Sequence, residues 1–188
     1  SKAGSCNSGI LDMSLSMNGD ILYIVHSGGL QKLTNCRTGS SWSGITPEGG
    51  KPYRVVSASP HDNGVVMTFR ALYGNLKRFW VSTDAGESWD KHAPDFDNID
   101  QRFPWHKKYM AGSCVSEIAF DPVTPKKIYF SDWYSLWYTD DWSTVPVQWS
   151  NKYGVGHEEL CCAILCAAHP DNSYGAILYS GGDDVGGF

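Results

Sequence analysis

The chain has 188 residues and a formal net charge of −5, with 19% charged residues. No Lys/Arg run exceeds two residues, so the basic face that nucleic-acid binding requires is absent. A content of 41% hydrophobic and 13% aromatic residues supplies a packed core, which excludes disorder. No apolar run approaches the ~18 residues of a transmembrane helix.

Ser1 reads as a processed or trimmed terminus, with no signal peptide visible. The first strands are expected at residues 10–17, 20–26 and 29–33, where apolar and polar positions alternate. Gly39-Ser40-Ser41-Trp42 follows as a turn, with Arg37 ahead of it. A second set of strands is expected at 53–59, 64–71 and 77–82. It leads into Ser82-Thr83-Asp84-Ala85-Gly86-Glu87-Ser88-Trp89, which matches the Asp-box pattern S/T-x-D-x-G-x-S/T-W at every defined position. The chemistry of that turn is legible. Asp84 is placed to accept bonds from following backbone N–H groups, Gly86 supplies a permissive φ, and Ser88 can bond back across the turn. Trp89 anchors neighbouring sheets. Ser82 opens the motif.

Residues 94–113 form an insert, read as a loop over one face of the fold, where function often resides. A third set of strands is expected at 115–120, 127–131 and 136–139, ending in Thr139-Asp140-Asp141-Trp142-Ser143, a shortened copy of the box. A fourth set begins at 160–168 and continues at 176–180. The turn tryptophans Trp42, Trp89 and Trp142 are 47 and 53 residues apart, the length of one four-stranded propeller blade. The predicted fold is therefore all-β: a β-propeller with units at about 8–48, 52–93, 114–152 and 158–188. That is about three and a half blades, short of the four to eight that close a propeller. The expected partners are then the remaining blades, on the same precursor or on another chain, because an open stack leaves an exposed edge.

Six cysteines are present: Cys6, Cys36, Cys114, Cys161, Cys162 and Cys166. Their even number favours disulfides in an oxidising compartment, with about 15 possible connectivities left open. No C-x-x-C pair occurs, and His157, Cys161, Cys162, Cys166 and His169 have no standard metal-site spacing. No metal or other cofactor is expected.

Beyond the Asp box, several segments in consistent order resemble the N-terminal propeller of glycoside hydrolase family 74, the xyloglucan-cleaving enzymes and their reducing-end-specific relatives. These are Ser41-Trp42-Ser43-Gly44-Ile45-Thr46-Pro47, Phe79-Trp80-Val81-Ser82, Pro104-Trp105, Ile118-Ala119-Phe120-Asp121-Pro122, His157-Glu158-Glu159-Leu160, and Ser180-Gly181-Gly182-Asp183-Asp184-Val185-Gly186-Gly187-Phe188. The resemblance spans about residues 20–188. It implies part of a seven-bladed propeller and a secreted, inverting β-glucanase acting on β-glucan or a xyloglucan-like polysaccharide.

It also implies that Asp184 is one of two catalytic carboxylates. In an inverting pair one acid protonates the leaving oxygen and the other activates water. The partner carboxylate belongs to a blade this chain does not supply, so the chain alone is expected to be inactive. Asp183 replaces the family glycine before Asp184, and Trp133-Tyr134 replace small family residues. Glu158 and Glu159 are candidates to hold sugar hydroxyls. Trp105, Trp133, Tyr134 and Trp137 are candidates to stack on pyranose faces, with burial between blades as the alternative for Trp137. Two other functions compete: a non-catalytic extracellular propeller that binds glycan or serves as an interaction module, and a sorting-receptor-like propeller that binds peptides.

Overall fold

The computed structural model describes residues 9–38, 41–49, 52–70, 78–98, 114–132, 136–151, 164–165 and 180–181. All regular structure among them is β. The first sheet has the order β1 (Ile10–Leu15), β2 (Ile21–His26), β3 (Gly29–Thr34), β4 (Trp42–Gly44). The second has β5 (Tyr53–Ala58), β6 (Val66–Arg70), β7 (Phe79–Ser82), β8 (Asp90–His92). The third runs β10 (Glu117–Phe120), β11 (Ile128–Ser131), β12 (Leu136–Thr139), β13 (Val147–Asn151), with β9 (Pro94–Asn98) added at its outer edge. A short pair, β14 (Ile164–Leu165) and β15 (Ser180–Gly181), begins a fourth.

Apart from β9, each of the three larger sheets is an up-and-down antiparallel meander, with β1, β5 and β10 innermost. β5 packs against β1 on one side and β10 on the other, so the inner strands converge while the outer strands splay apart. Period-two alternation gives every sheet two faces. The first sheet turns Tyr23, Val25 and Leu30 towards Tyr53, Val56, Val66 and Trp80 of the second. The second turns Val55, Met67, Phe69 and Phe79 towards Ile118, Phe130, Trp137 and Trp149 of the third. Aromatic rings dominate this second interface. Phe69 meets Phe130 edge-on at 5.5 Å, and Phe130 meets Trp149 at 4.7 Å. Trp137 is wholly buried here, with Nε1 donating to Asp132 at 2.9 Å, so it belongs to the inter-sheet core and not to a sugar platform.

Polar bonds also join the first two sheets. β1 presents Asp12 and Ser14 to the free edge of β5, where Val56 N donates to Asp12 Oδ2 at 2.7 Å and Ala58 N to Ser14 Oγ at 2.9 Å. Edge N–H groups of an inner strand are thus satisfied by the neighbouring sheet.

Two expectations are corrected. The insert at 94–113 does not begin as a loop: Pro94–Asn98 forms β9, parallel to β13, with Val147 opposite Pro94 and Gln148 opposite Asp95. Pro94 tolerates this position because an edge strand needs fewer donors. Phe96 supplies the drive, 4% exposed and edge-on to Trp137 at 5.0 Å. Second, Cys36 is a free thiol, with Sγ 3.2 Å from the Gly19 carbonyl, and not half of a disulfide. Its neighbour in space is the β1–β2 turn. Of the other five disulfide candidates, Cys114 lies within the described residues and Cys6, Cys161, Cys162 and Cys166 lie outside them.

Candidate functional site

The antiparallel order gives the three larger sheets two unlike rims. At one rim lie the tight turns between first and second strands, at residues 16–20, 59–65 and 121–127. Asp121 caps the third of these, accepting Val123 N and Thr124 N at 2.8 Å each. These bonds hold its carboxyl below the ordinary range, that from Thr124 contributing most. The turns are laced together: Asn18 N donates to Asn63 Oδ1 at 2.9 Å, and His61 Nε2 donates to the Asp121 carbonyl at 2.8 Å. This rim is built for rigidity.

The opposite rim collects the starts of β1, β5 and β10 and the ends of β2, β6 and β11. By strand direction the ends of β9 and β13 reach it as well. Residues 99–113 leave from β9 and return ahead of β10; residues 133–135 join β11 to β12; residues 152–163 follow β13. Trp105, Trp133, Tyr134, Glu158 and Glu159 fall in those segments. Asp183 and Asp184 follow β15, whose Gly181 pairs with Ile164. All seven lie outside the described residues, as do His157, Cys161, Cys162, Cys166 and His169.

Two described carboxylates near this rim escaped the sequence reading. Asp12 sits on β1, and burial raises its carboxyl pKa against the lowering effect of the Val56 and Met13 N–H bonds. Glu117 opens β10; desolvation first, then the negative charge of Asp12, raises it too. Carboxyls shifted this way can hold a proton closer to neutral pH than an ordinary Asp or Glu. The available signal was a lone charge inside an apolar alternation, Leu11-Asp12-Met13. Among the described residues, no group of three or more His, Cys, Asp or Glu is placed to hold a metal. No helix there is long and apolar enough to cross a membrane.

The turn at 82–89 is a closed polar circuit. Ser88 N and Ser88 Oγ donate to Asp84 at 2.8 and 2.6 Å, and Ser82 Oγ donates to Asp84 Oδ1 at 2.7 Å. These bonds, the Ser88 hydroxyl foremost, lower the Asp84 pKa to about 2. Ala85 and Gly86 both have positive φ, 60° and 86°. A Cβ on Gly86 would come within 2.9 Å of Ile45 Cδ1, so a larger residue there would displace the end of the Ile45 side chain and strain the positive-φ backbone. Trp89 Nε1 donates to the Ile45 carbonyl of the first sheet at 2.8 Å. Beside it, Lys32, 5% exposed, reaches from the first sheet to the Ala85 carbonyl at 2.8 Å and to Glu87. A cleft of about 370 Å³ lies over this junction, lined in part by Thr46, Pro47, Glu87 and Trp89.

The turn at Asp141 reproduces half of this. Ser143 N and Oγ donate to Asp141, but Trp142 Nε1 bonds Pro125 of its own sheet at 3.4 Å. The junction at 82–89 fastens two sheets; the later turn fastens one.

Three converging four-stranded sheets with a fourth begun define the architecture, and solved structures agree. A GH74 enzyme of Niastella koreensis matches 94% of this chain with a TM-score of 0.60 at 18% identity, over 27% of that enzyme's length. The chain is a partial β-propeller. An ancestral GH74 enzyme matches 95% of the propeller with a TM-score of 0.57 at 13% identity, over 22% of its own length. Sqt1 of Saccharomyces cerevisiae matches 92% with a TM-score of 0.56 at 10% identity, over 42% of its length. The propeller therefore spans about a quarter of the length of the GH74 enzymes it resembles. At these identities the likeness concerns the fold. No protein-family model matches the chain, and no curated protein matches it in sequence.

Proposed function

We propose that this propeller is one part of an extracellular, inverting β-glucanase of xyloglucan type, and that Asp184 is one of its two cleft carboxylates. The observation that carries the reading is the loop rim. The strand ends of the third sheet from which the segments bearing Trp105, Trp133, Tyr134, Glu158 and Glu159 continue lie at one rim of the propeller. The likeness in fold to GH74 enzymes supports the same reading. In this scheme aromatic faces on the rim stack against pyranose rings. Asp184 acts as acid or base, Asp183 beside it raises its pKa, and a carboxylate from another blade completes the pair. The seven-bladed closure, the secreted location and the polysaccharide substrate are parts of this proposal.

The test uses the protein containing this propeller together with its remaining blades, assayed on xyloglucan and mixed-linkage β-glucan. Asp184→Ala is expected to lower kcat by roughly 10²–10⁴-fold, the contribution of a general acid or base, with little change in glycan binding. Wild-type turnover in that variant excludes the catalytic role. Binding to glycan with no turnover in the unmodified protein favours the non-catalytic reading, in which the rim is a carbohydrate-binding surface.

A further inference from the structure

Three cations gather around one carboxylate where the first and second sheets meet at the loop rim. Glu48 follows β4, and Tyr53 of β5 pins its backbone. Glu48 N donates to the Tyr53 hydroxyl at 3.0 Å, and that hydroxyl donates to the Glu48 carbonyl at 3.3 Å. Lys91 Nζ donates to Glu48 Oε1 at 2.6 Å, and Arg70 Nη1 stands 4.0 Å from Oε2. The Lys91 hydrogen bond, with the positive charges of Lys91, Arg70 and Arg78, holds the Glu48 carboxyl below the ordinary range. Strand register explains the gathering. Arg70 ends β6 opposite Tyr53, Arg78 immediately precedes β7, and Lys91 lies on β8 opposite Trp80.

One carboxylate does not balance three cations. Among the described residues, exposed Arg78 has no ion pair or hydrogen bond, and Arg70 has no hydrogen bond, its Nε buried without an acceptor. Asp90, next to Lys91 in the chain, falls on the opposite face of β8, where its charge acts on His92. The cluster therefore carries an excess of two positive charges in a chain of net charge −5. Crowded like charges are costly, and an anion placed among them relieves that cost. The cations are also held in place. Arg70 Cζ and Lys91 Nζ each lie 5.9 Å from the centre of the Trp80 ring, which Tyr53 meets edge-on at 5.4 Å. A guanidinium offers a planar fork that matches a carboxylate, and groups fixed beforehand lose little freedom on binding.

We propose that Arg70, Arg78 and Lys91 form a site for the uronate carboxylates of an acidic polysaccharide, in addition to the neutral β-glucan proposed above. The choice of a glycan rests on the reading of this rim as a glycan surface; the negative charge of the ligand rests on the cluster alone. Glu48 is an internal anion that neutralises part of the cluster, and a ligand carboxylate completes the balance. Three cations are too few for the phosphate rows of a nucleic acid.

The test measures binding of oligogalacturonate, neutral cello-oligosaccharide and poly-L-glutamate by titration calorimetry, using the protein containing this propeller together with its remaining blades. Oligogalacturonate is expected to bind more tightly than poly-L-glutamate, with an affinity that falls about tenfold between low and high salt as the charges are screened. Arg78→Gln changes an exposed side chain, so it should leave the melting temperature unchanged while weakening oligogalacturonate binding about fivefold, the effect of one nearby charge. Glu48→Gln removes the internal anion and should strengthen that binding by a similar factor. Cello-oligosaccharide binding should be the same in all three proteins. Wild-type affinity for oligogalacturonate in Arg78→Gln overturns the proposal, as does the absence of oligogalacturonate binding in the unmodified protein. Tighter binding of poly-L-glutamate overturns it too, and makes an acidic peptide the occupant. Turnover of neutral glucan, and its loss in Asp184→Ala, is read separately, so the charged site and the glucanase reading can fail independently.

Discussion

Asp84 and Asp12 are both carboxylates bonded to backbone N–H groups, yet their pKa shifts are opposite. Asp84 stands in water with the Ser88 hydroxyl and amide and the Ser82 hydroxyl directed at it, so its charged form is favoured. Its contribution to stability is present above the unfolded pKa of 3.8 and is lost as pH falls towards about 2. Melting curves should therefore decline more steeply from pH 4 to pH 2 in the wild type than in Asp84→Asn. Asp12 lies against β5, where desolvation outweighs its two N–H bonds. A raised carboxyl works the other way: stability is lost as pH rises from 3.8 through the folded pKa. Asp12→Asn keeps an acceptor for Val56 N without the charge, so it should remove that decline and be at least as stable as wild type at pH 7. Asp12→Ala leaves the Val56 amide without its acceptor and should lose about 1–3 kcal/mol, read by urea denaturation. The role of Asp84 was legible because every partner lies within five residues. Asp12 was not, because its partner is 44 residues away.

Among the elements, the inner and middle strands were legible and the outer ones were not. β2, β6 and β11 alternate between two buried faces, and each inner strand ends near a Pro- or Gly-bearing turn. β4 is Trp42-Ser43-Gly44 and β8 is Asp90-Lys91-His92, three residues each and mostly polar. Such segments carry no periodicity; they become strands because β3 and β7 offer an edge. β9 is the extreme case, reaching past its own sheet to the edge of the next. The junction between the first two sheets also depends on long-range contact. Lys32→Met keeps the apolar stem but leaves the Ala85 carbonyl without its donor, and should cost about 1–3 kcal/mol. Glu87→Gln should change stability little, since that carboxylate is 73% exposed. Thermal unfolding of the two variants separates the buried bond from the exposed ion pair.

At the scale of the molecule, stability concentrates between the second and third sheets, where Phe69, Phe79, Phe130 and Trp149 meet in one aromatic cluster. Phe130→Ala removes its central ring and should cost about 3–5 kcal/mol, as a fall in the denaturant midpoint. The loop rim, by contrast, is defined by strand direction: the chain segments bearing the candidate aromatics and glutamates start or finish there. Tight turns close one rim, and the proposed glycan site falls to the other, the usual division in folds that carry sites on loops.

By itself the sequence determined the class of structure. Alternation, the spacing of Trp42, Trp89 and Trp142 and the pattern of the turn at 82–89 are local signals, and local signals specify strands, turns and blade length. Only the tertiary structure decided which face of each sheet is covered, that Trp137 is core, that β9 belongs to the third sheet, and that Asp12 and Glu117 share one rim. Those outcomes depend on which sheets become neighbours, and adjacency between residues more than 40 positions apart is fixed by packing and not by any window of sequence.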